Sequence, residues 1–143
     1  MKPKVLFLCT GNSCRSQMAE AFLRELKADR FEAYSAGLNP IRLDPMAIKV
    51  MQEIGIDISK QRPKDVSEVK DLEFDYVITL CDNAQKMCPY FPAKKKFFHK
   101  GFEDPPVLAA KARDEDEVLE IYRRVRDEIK SFVEKIEVYL GEG

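Results

Sequence analysis

Cys9-Thr10-Gly11-Asn12-Ser13-Cys14-Arg15-Ser16 is the stretch of this chain whose residue types and spacing can do chemistry. An apolar run, Val5 to Leu8, precedes it, and an amphipathic run follows. The stretch therefore reads as a loop ending at a helix N-terminus, where unpaired N–H groups and the helix dipole favour an anion. Gly11 permits the backbone angles of a tight cradle. The planar guanidinium of Arg15 can grip two oxygens at once. Cys9 stands at the mouth of this positive site, which predicts a depressed thiol pKa and a thiolate nucleophile. The Ser16 hydroxyl is placed to donate a hydrogen bond to that sulfur. A nucleophile and a site for a tetrahedral oxyanion, formed by Thr10, Gly11, Asn12, Ser13, Cys14 and Arg15, thus share one loop. A buried cysteine followed by a chance arginine would not also bring the glycine, the serine after arginine, the strand and the helix.

Three further cysteines are Cys14, Cys81 and Cys88. Their spacings, Cys-x4-Cys and Cys-x6-Cys, match the usual zinc knuckle poorly, so no metal centre is expected. Cys14 is expected to pack in or behind the loop, with no step assigned to it. Cys81 directly follows the strongest internal strand, residues 76–80, as Cys9 follows the first. In a parallel sheet both positions emerge at the carboxyl edge, where ligands bind, so Cys81 is expected within reach of Cys9. The plainer alternative for Cys81 and Cys88 is two core cysteines. His99, the single histidine, is expected to decorate a strand end.

The elements that must position these residues alternate in type, the pattern of an α/β fold. Strands are expected at residues 4–8, 31–35, 76–80 and 96–99, with Lys94 to Lys96 a solvated run leading into the last. A helix is expected at 16–27, with Met18, Ala19, Phe22, Leu23 and Leu26 on one face. Asp44-Pro45 starts another, a capping carboxylate followed by proline, and Gly55 stops it. Residues 59–70 read as loop and a short helix. Asp114-x-x-Glu117 resembles a capping box opening a long helix that turns Val118, Ile121, Tyr122, Val125, Ile129, Phe132 and Ile136 to the core.

Residues 1–143 suit one domain with one core. With 45% hydrophobic and 34% charged residues, the composition is that of a charge-rich globular protein. A net charge of −1 lends no support to nucleic-acid binding. No apolar run approaches the roughly 20 residues of a membrane span, and the first apolar run is too short for a signal-peptide core, so a cytoplasmic location is expected. Asn and Gln are scarce beside Lys and Glu, a hint of a thermophilic source.

The run from Cys9 through Ser16-Gln17-Met18-Ala19-Glu20 closely resembles the signature of the thioredoxin-coupled arsenate reductases, which share the fold of the low-molecular-weight protein tyrosine phosphatases. The resemblance continues through Tyr34-Ser35-Ala36-Gly37, Asp57-Ile58-Ser59, Val77-Ile78-Thr79-Leu80-Cys81, Cys88-Pro89, Gly101-Phe102-Glu103-Asp104-Pro105 and Arg124-Val125-Arg126-Asp127-Glu128-Ile129. It implies a low-molecular-weight phosphatase-like fold: a four-stranded parallel sheet flanked by helices on both faces. It implies arsenate as substrate, Cys9 as nucleophile, Asp104 as the acid that protonates the departing oxygen, and a Cys9–Cys81–Cys88 disulfide relay regenerated by thioredoxin. No organic cofactor is implied. Some members bind potassium beside the loop; Asn12, Glu20 and Ser35 fit three of its ligands. At the fourth position the sequence has Lys64, with Asp65 adjacent, so either Asp65 completes the site or the Lys64 ammonium takes the ion's place. The rival enzyme reading, a tyrosine phosphatase, needs neither Cys81 nor Cys88. In such enzymes Tyr usually follows Asp-Pro, whereas here it is Pro106. A non-enzymatic oxyanion sensor on the same fold is a further alternative.

Overall fold

The computed structural model describes residues 2–81 and 90–141. Cys88 lies outside the described residues. Four strands, β1 (Lys4–Leu8), β2 (Glu32–Ala36), β3 (Phe74–Thr79) and β4 (Ala93–His99), form one sheet. Its order is β2-β1-β3-β4, and every pairing is parallel. The helices are α1 (Arg15–Lys27), α2 (Pro45–Gln52), α3 (Pro105–Ala109), α4 (Glu115–Glu134) and α5 (Ile136–Leu140), with a 3₁₀ turn at Val66–Val69.

The central strands are apolar on both faces because both faces are covered. Val5 and Phe7 of β1 join Tyr76 and Ile78 of β3 in a core closed by Met18 and Phe22 of α1, Val50 and Met51 of α2, and Val125, Ile129 and Phe132 of α4. The alternate residues, Leu6, Leu8 and Val77, pack with Phe74 and with Val69 of the 3₁₀ turn. Tyr34 and Phe91 meet the ring of Phe74 edge-on at 5.3 and 5.4 Å. No helix among the described residues is long and apolar enough to cross a membrane.

Several local expectations need correction. Strand β4 begins at Ala93, so Lys94 to Lys96 lie within it. An edge strand tolerates this, since its outer side faces water and lysines discourage pairing with other chains. The long helix stops at Glu134; Lys135 has φ −111° and ψ 19°, and the buried Ile136 opens α5 instead. Asp114 caps α4 by accepting from the Glu117 N–H at 2.9 Å, but the Glu117 carboxylate turns to Arg113 Nε at 2.6 Å. A charged guanidinium outcompetes a neutral N–H for it. The complete capping box lies at Asp65 and Glu68, within the stretch read as loop and short helix.

The strand order explains how the site is assembled. The chain leaves β1 toward one side and re-enters at β3 on the other, so the loops after β1 and β3 diverge and leave a crevice between them. The Leu80 N–H donates to the Leu8 carbonyl at 2.9 Å, carrying the pairing to the last residue before each cysteine.

Candidate active site

The loop from Cys9 to Arg15 has its carbonyls turned outward by neighbouring structure. Those of Thr10, Gly11 and Ser13 accept from the N–H groups of Asn39, Ile41 and Asp44, at 2.9, 3.0 and 3.1 Å. The Asn12 carbonyl accepts from Gln17 Nε2 at 2.9 Å, and that of Cys14 from the Met18 N–H at 2.9 Å. With these five carbonyls occupied elsewhere, few acceptors are left to oppose an anion at the loop's N–H groups, the requirement for an anion cradle. Asn12 is the one described non-glycine residue with positive φ, 47°. Asparagine tolerates this region better than most residues. Its buried amide knits the loop together: Nδ2 donates to Ser16 Oγ at 2.8 Å, while Oδ1 accepts from Gln17 Nε2 at 3.1 Å and the Lys64 N–H at 2.8 Å.

Gly37, just past β2, lies against this loop. A Cβ there would stand 2.6 Å from the Thr10 carbonyl oxygen, 2.7 Å from that of Cys9 and 3.0 Å from the Asn12 nitrogen. All three are backbone atoms, so the loop itself would have to move. Gly37→Ala is expected to cost about 1–3 kcal/mol of stability and to weaken inorganic phosphate binding by at least about tenfold. Thermal unfolding and phosphate titration check this; wild-type affinity in the variant would contradict it.

Arg15 is nearly buried at the start of α1. One arm of its fork donates to the Phe102 carbonyl at 2.8 Å, and the other lies 3.5 Å from Asp104 Oδ2. Asp104 stands at the cap of α3, where its extended backbone leads into Pro105. The acid expected from the Asp-Pro pair therefore sits beside the arginine of the loop. Cys81 is brought against Cys9, close enough for the two thiols to interact. Thr10 Oγ1 is 3.7 Å from the Cys81 sulfur.

Two expectations about the nucleophile are corrected. The Cys9 thiol is pushed well above its ordinary range, first by its hydrogen bond with Cys81, then by burial, against the downward pull of Arg15; the charges of Cys81 and Asp104 add to the rise. The loop's positive character is outweighed because a second thiol adjoins Cys9 and the site is buried. Secondly, the recorded partner of Ser16 Oγ is Asn12, with no bond from Ser16 to the Cys9 sulfur among the described residues. A thiol that keeps its proton attracts a hydroxyl donor less than a thiolate would. Cys14 is buried, and burial also pushes its thiol up.

Behind the loop, Glu20 Oε1 accepts from Ser35 Oγ at 2.5 Å, and Oε2 pairs with Arg24. Lys64 Nζ lies 3.7 Å from Glu20 Oε1 and donates to the Arg62 carbonyl at 3.2 Å. The Asp65 carboxylate instead accepts from the Ser67 N–H at 2.9 Å, as the cap of the 3₁₀ turn. The ammonium thus faces the Glu20 region that a cation ligand set would use.

Residues not singled out from the sequence complete the support. Gln17 is fully buried and also donates to the Arg62 carbonyl at 3.0 Å; Gln61 Nε2 in turn donates to Gln17 Oε1 at 2.7 Å. Gln17 immediately follows Ser16 in the motif, a signal that could have marked it.

A parallel-sheet fold with a Cys-x5-Arg oxyanion loop at its switch point defines a phosphatase-type site. Residues 4–142 match the model of the family described as low molecular weight phosphotyrosine protein phosphatase. The chain belongs to this family, and within it groups with the arsenate reductases. It is 45% identical over 138 residues to the arsenate reductase of Halalkalibacterium halodurans, covering 93% of this chain and 96% of that one. A solved arsenate reductase in the phosphate binding state is 35% identical with a TM-score of 0.77, covering 98% and 99% of the two chains. The thioredoxin-dependent arsenate reductase of Corynebacterium glutamicum is 28% identical with a TM-score of 0.64, covering 96% of this chain and 63% of that one.

Proposed function

We propose that this protein reduces arsenate to arsenite. The observation that carries the reading is a second buried thiol, Cys81, standing against Cys9 beside the Cys9–Arg15 loop, with its sulfur 3.7 Å from Thr10 Oγ1. A hydrolytic phosphatase has no use for a second thiol there, and the relatives named above are arsenate reductases.

In the proposed cycle the arsenate dianion enters between the loop N–H groups and Arg15. Its added negative charge and basic oxygen draw the proton from Cys9, generating the thiolate. The Cys9 sulfur attacks arsenic, an As–S bond forms, and one As–O bond breaks as Asp104 protonates the departing hydroxide to water. Cys81 then attacks the Cys9 sulfur. The S–S bond forms, the As–S bond breaks, and its electron pair passes to arsenic, giving As(III) as arsenite. Cys88 attacks Cys81, freeing Cys9 and leaving a Cys81–Cys88 disulfide. A thioredoxin dithiol supplies the two electrons that restore the enzyme. The support for this last step is the thioredoxin-dependent relative. Arsenate, thioredoxin and thioredoxin reductase in a multiple-turnover assay test the reading: sustained arsenite production is expected, and hydrolysis of aryl phosphates without arsenite production would overturn it.

No organic cofactor takes part in this cycle. We place the Lys64 ammonium where some relatives of this fold hold potassium, with Asp65 occupied as a helix cap. Exchanging sodium for potassium at constant ionic strength is therefore expected to leave both the melting temperature and the KM for arsenate unchanged. A potassium-specific rise in stability or activity would show that Lys64 swings away and a bound ion replaces it.

A further inference from the structure

Three of the loop's outward-facing carbonyls are held by one strap, residues 39–44. Ser13 Oγ also donates to the strap's Arg42 carbonyl at 2.6 Å, so the strap and the loop move as one piece. Within the strap Ile41 is 60% exposed, and only Leu43 and Asp44 at its far end are buried. Asp44 is where the strap is fastened to the body of the fold. Its N–H bonds the Ser13 carbonyl, its Oδ1 accepts from the Met46 N–H at 2.9 Å, and its Oδ2 accepts from the Tyr122 hydroxyl at 2.7 Å. Tyr122 projects from α4, 78 residues further along the chain, and is 4% exposed. It touches no step of the proposed reaction, yet a buried hydroxyl directed at a buried carboxylate is a strong, specific link.

We propose that Tyr122 is a positioning residue for the oxyanion: through Asp44 it ties the strap to the rigid helix α4, and the strap holds the loop carbonyls away from the anion. The proposal rests on the reading of the Cys9–Arg15 loop as an oxyanion site. The Tyr122 hydroxyl is pushed far above its ordinary range, by burial first and by the bond to Asp44 second, so it remains the donor throughout the working pH range. Without that donor, Asp44 would keep a buried oxygen unpaired and would be drawn toward water, taking the Ser13 carbonyl with it. The effect should fall on oxyanion binding, since the sulfur relay between Cys9 and Cys81 lies on the strand-end side of the loop.

The test is inorganic phosphate binding by calorimetry to the full-length reduced protein, together with steady-state arsenate turnover. Tyr122→Phe keeps the ring in the core and removes only the hydroxyl. The expected result is a phosphate Kd and an arsenate KM each raised about tenfold, equivalent to about 1.4 kcal/mol, with kcat little changed. Mere loss of folded protein would lower kcat and leave KM alone. Asp44→Ala attacks the same link from the other side and should match the tyrosine variant. Asp44→Asn should bind phosphate nearly as wild type, because its amide can accept from Met46 and donate to the Tyr122 oxygen. Unchanged phosphate affinity in both Tyr122→Phe and Asp44→Ala, or a fall confined to kcat, would overturn the proposal. Failure of the wild type to bind phosphate and turn over arsenate would instead remove the oxyanion reading, and this role with it.

Discussion

Cys81→Ser is expected to abolish multiple-turnover arsenate reduction while hydrolysis of an aryl phosphate survives. The two activities share Cys9, Arg15 and Asp104 and separate only at the sulfur that takes over the Cys9 adduct. A serine hydroxyl cannot form the disulfide whose formation sends an electron pair to arsenic, so arsenite output should fall to the uncatalysed background. Phosphate ester cleavage ends in water attack and needs no second thiol. The substitution also removes the foremost cause of the raised Cys9 pKa, its hydrogen bond with the Cys81 thiol. A thiol whose pKa is raised is mostly protonated at neutral pH. Lowering it increases the thiolate fraction there, so alkylation of Cys9 at neutral pH should become faster in the variant. Initial rates with both substrates and a pH titration of alkylation check these outcomes. Equal survival of both activities would assign Cys81 to the core.

Arg15→Lys is expected to damage both activities together, with kcat/KM falling by about 10³ or more, equivalent to about 4 kcal/mol. The guanidinium occupies a nearly buried position, with one arm on the Phe102 carbonyl and the other beside Asp104. An ammonium is shorter and has no planar fork, so it cannot hold the Phe102 carbonyl and also bridge two oxygens of the anion. The parallel loss distinguishes an anion clamp from a relay residue. A variant within tenfold of wild type on both substrates would show that the loop N–H groups suffice.

Much of this site could be read from local patterns. Apolar strands ending in cysteine, placed at the same edge of a parallel sheet, were enough to bring Cys81 to Cys9. The glycine, the arginine and the following helix marked the cradle. What escaped depended on contacts distant in sequence. The protonation of Cys9 is decided first by Cys81 and then by burial, and neither follows from the loop alone. The Tyr122–Asp44 bond spans 78 residues, and Tyr122 reads simply as one apolar position of an amphipathic helix. The need for glycine at position 37 arises from the approach of two backbones, a constraint invisible in either segment by itself. The capping box at Asp65 and Glu68 also escaped, since it lies in a polar stretch with little periodicity.

The central claim is that the electrons reaching arsenic come from Cys9 and Cys81. Cys88→Ser isolates that step, because the cycle should halt once the first disulfide has formed. The reduced variant is mixed with excess arsenate, its remaining thiols are blocked, arsenite is quantified, and the disulfide-linked peptides are identified by mass spectrometry. One arsenite per chain with a Cys9–Cys81 bridge is the predicted result. Arsenite released with Cys81 still a free thiol, or a bridge joining Cys9 to Cys14, would contradict it.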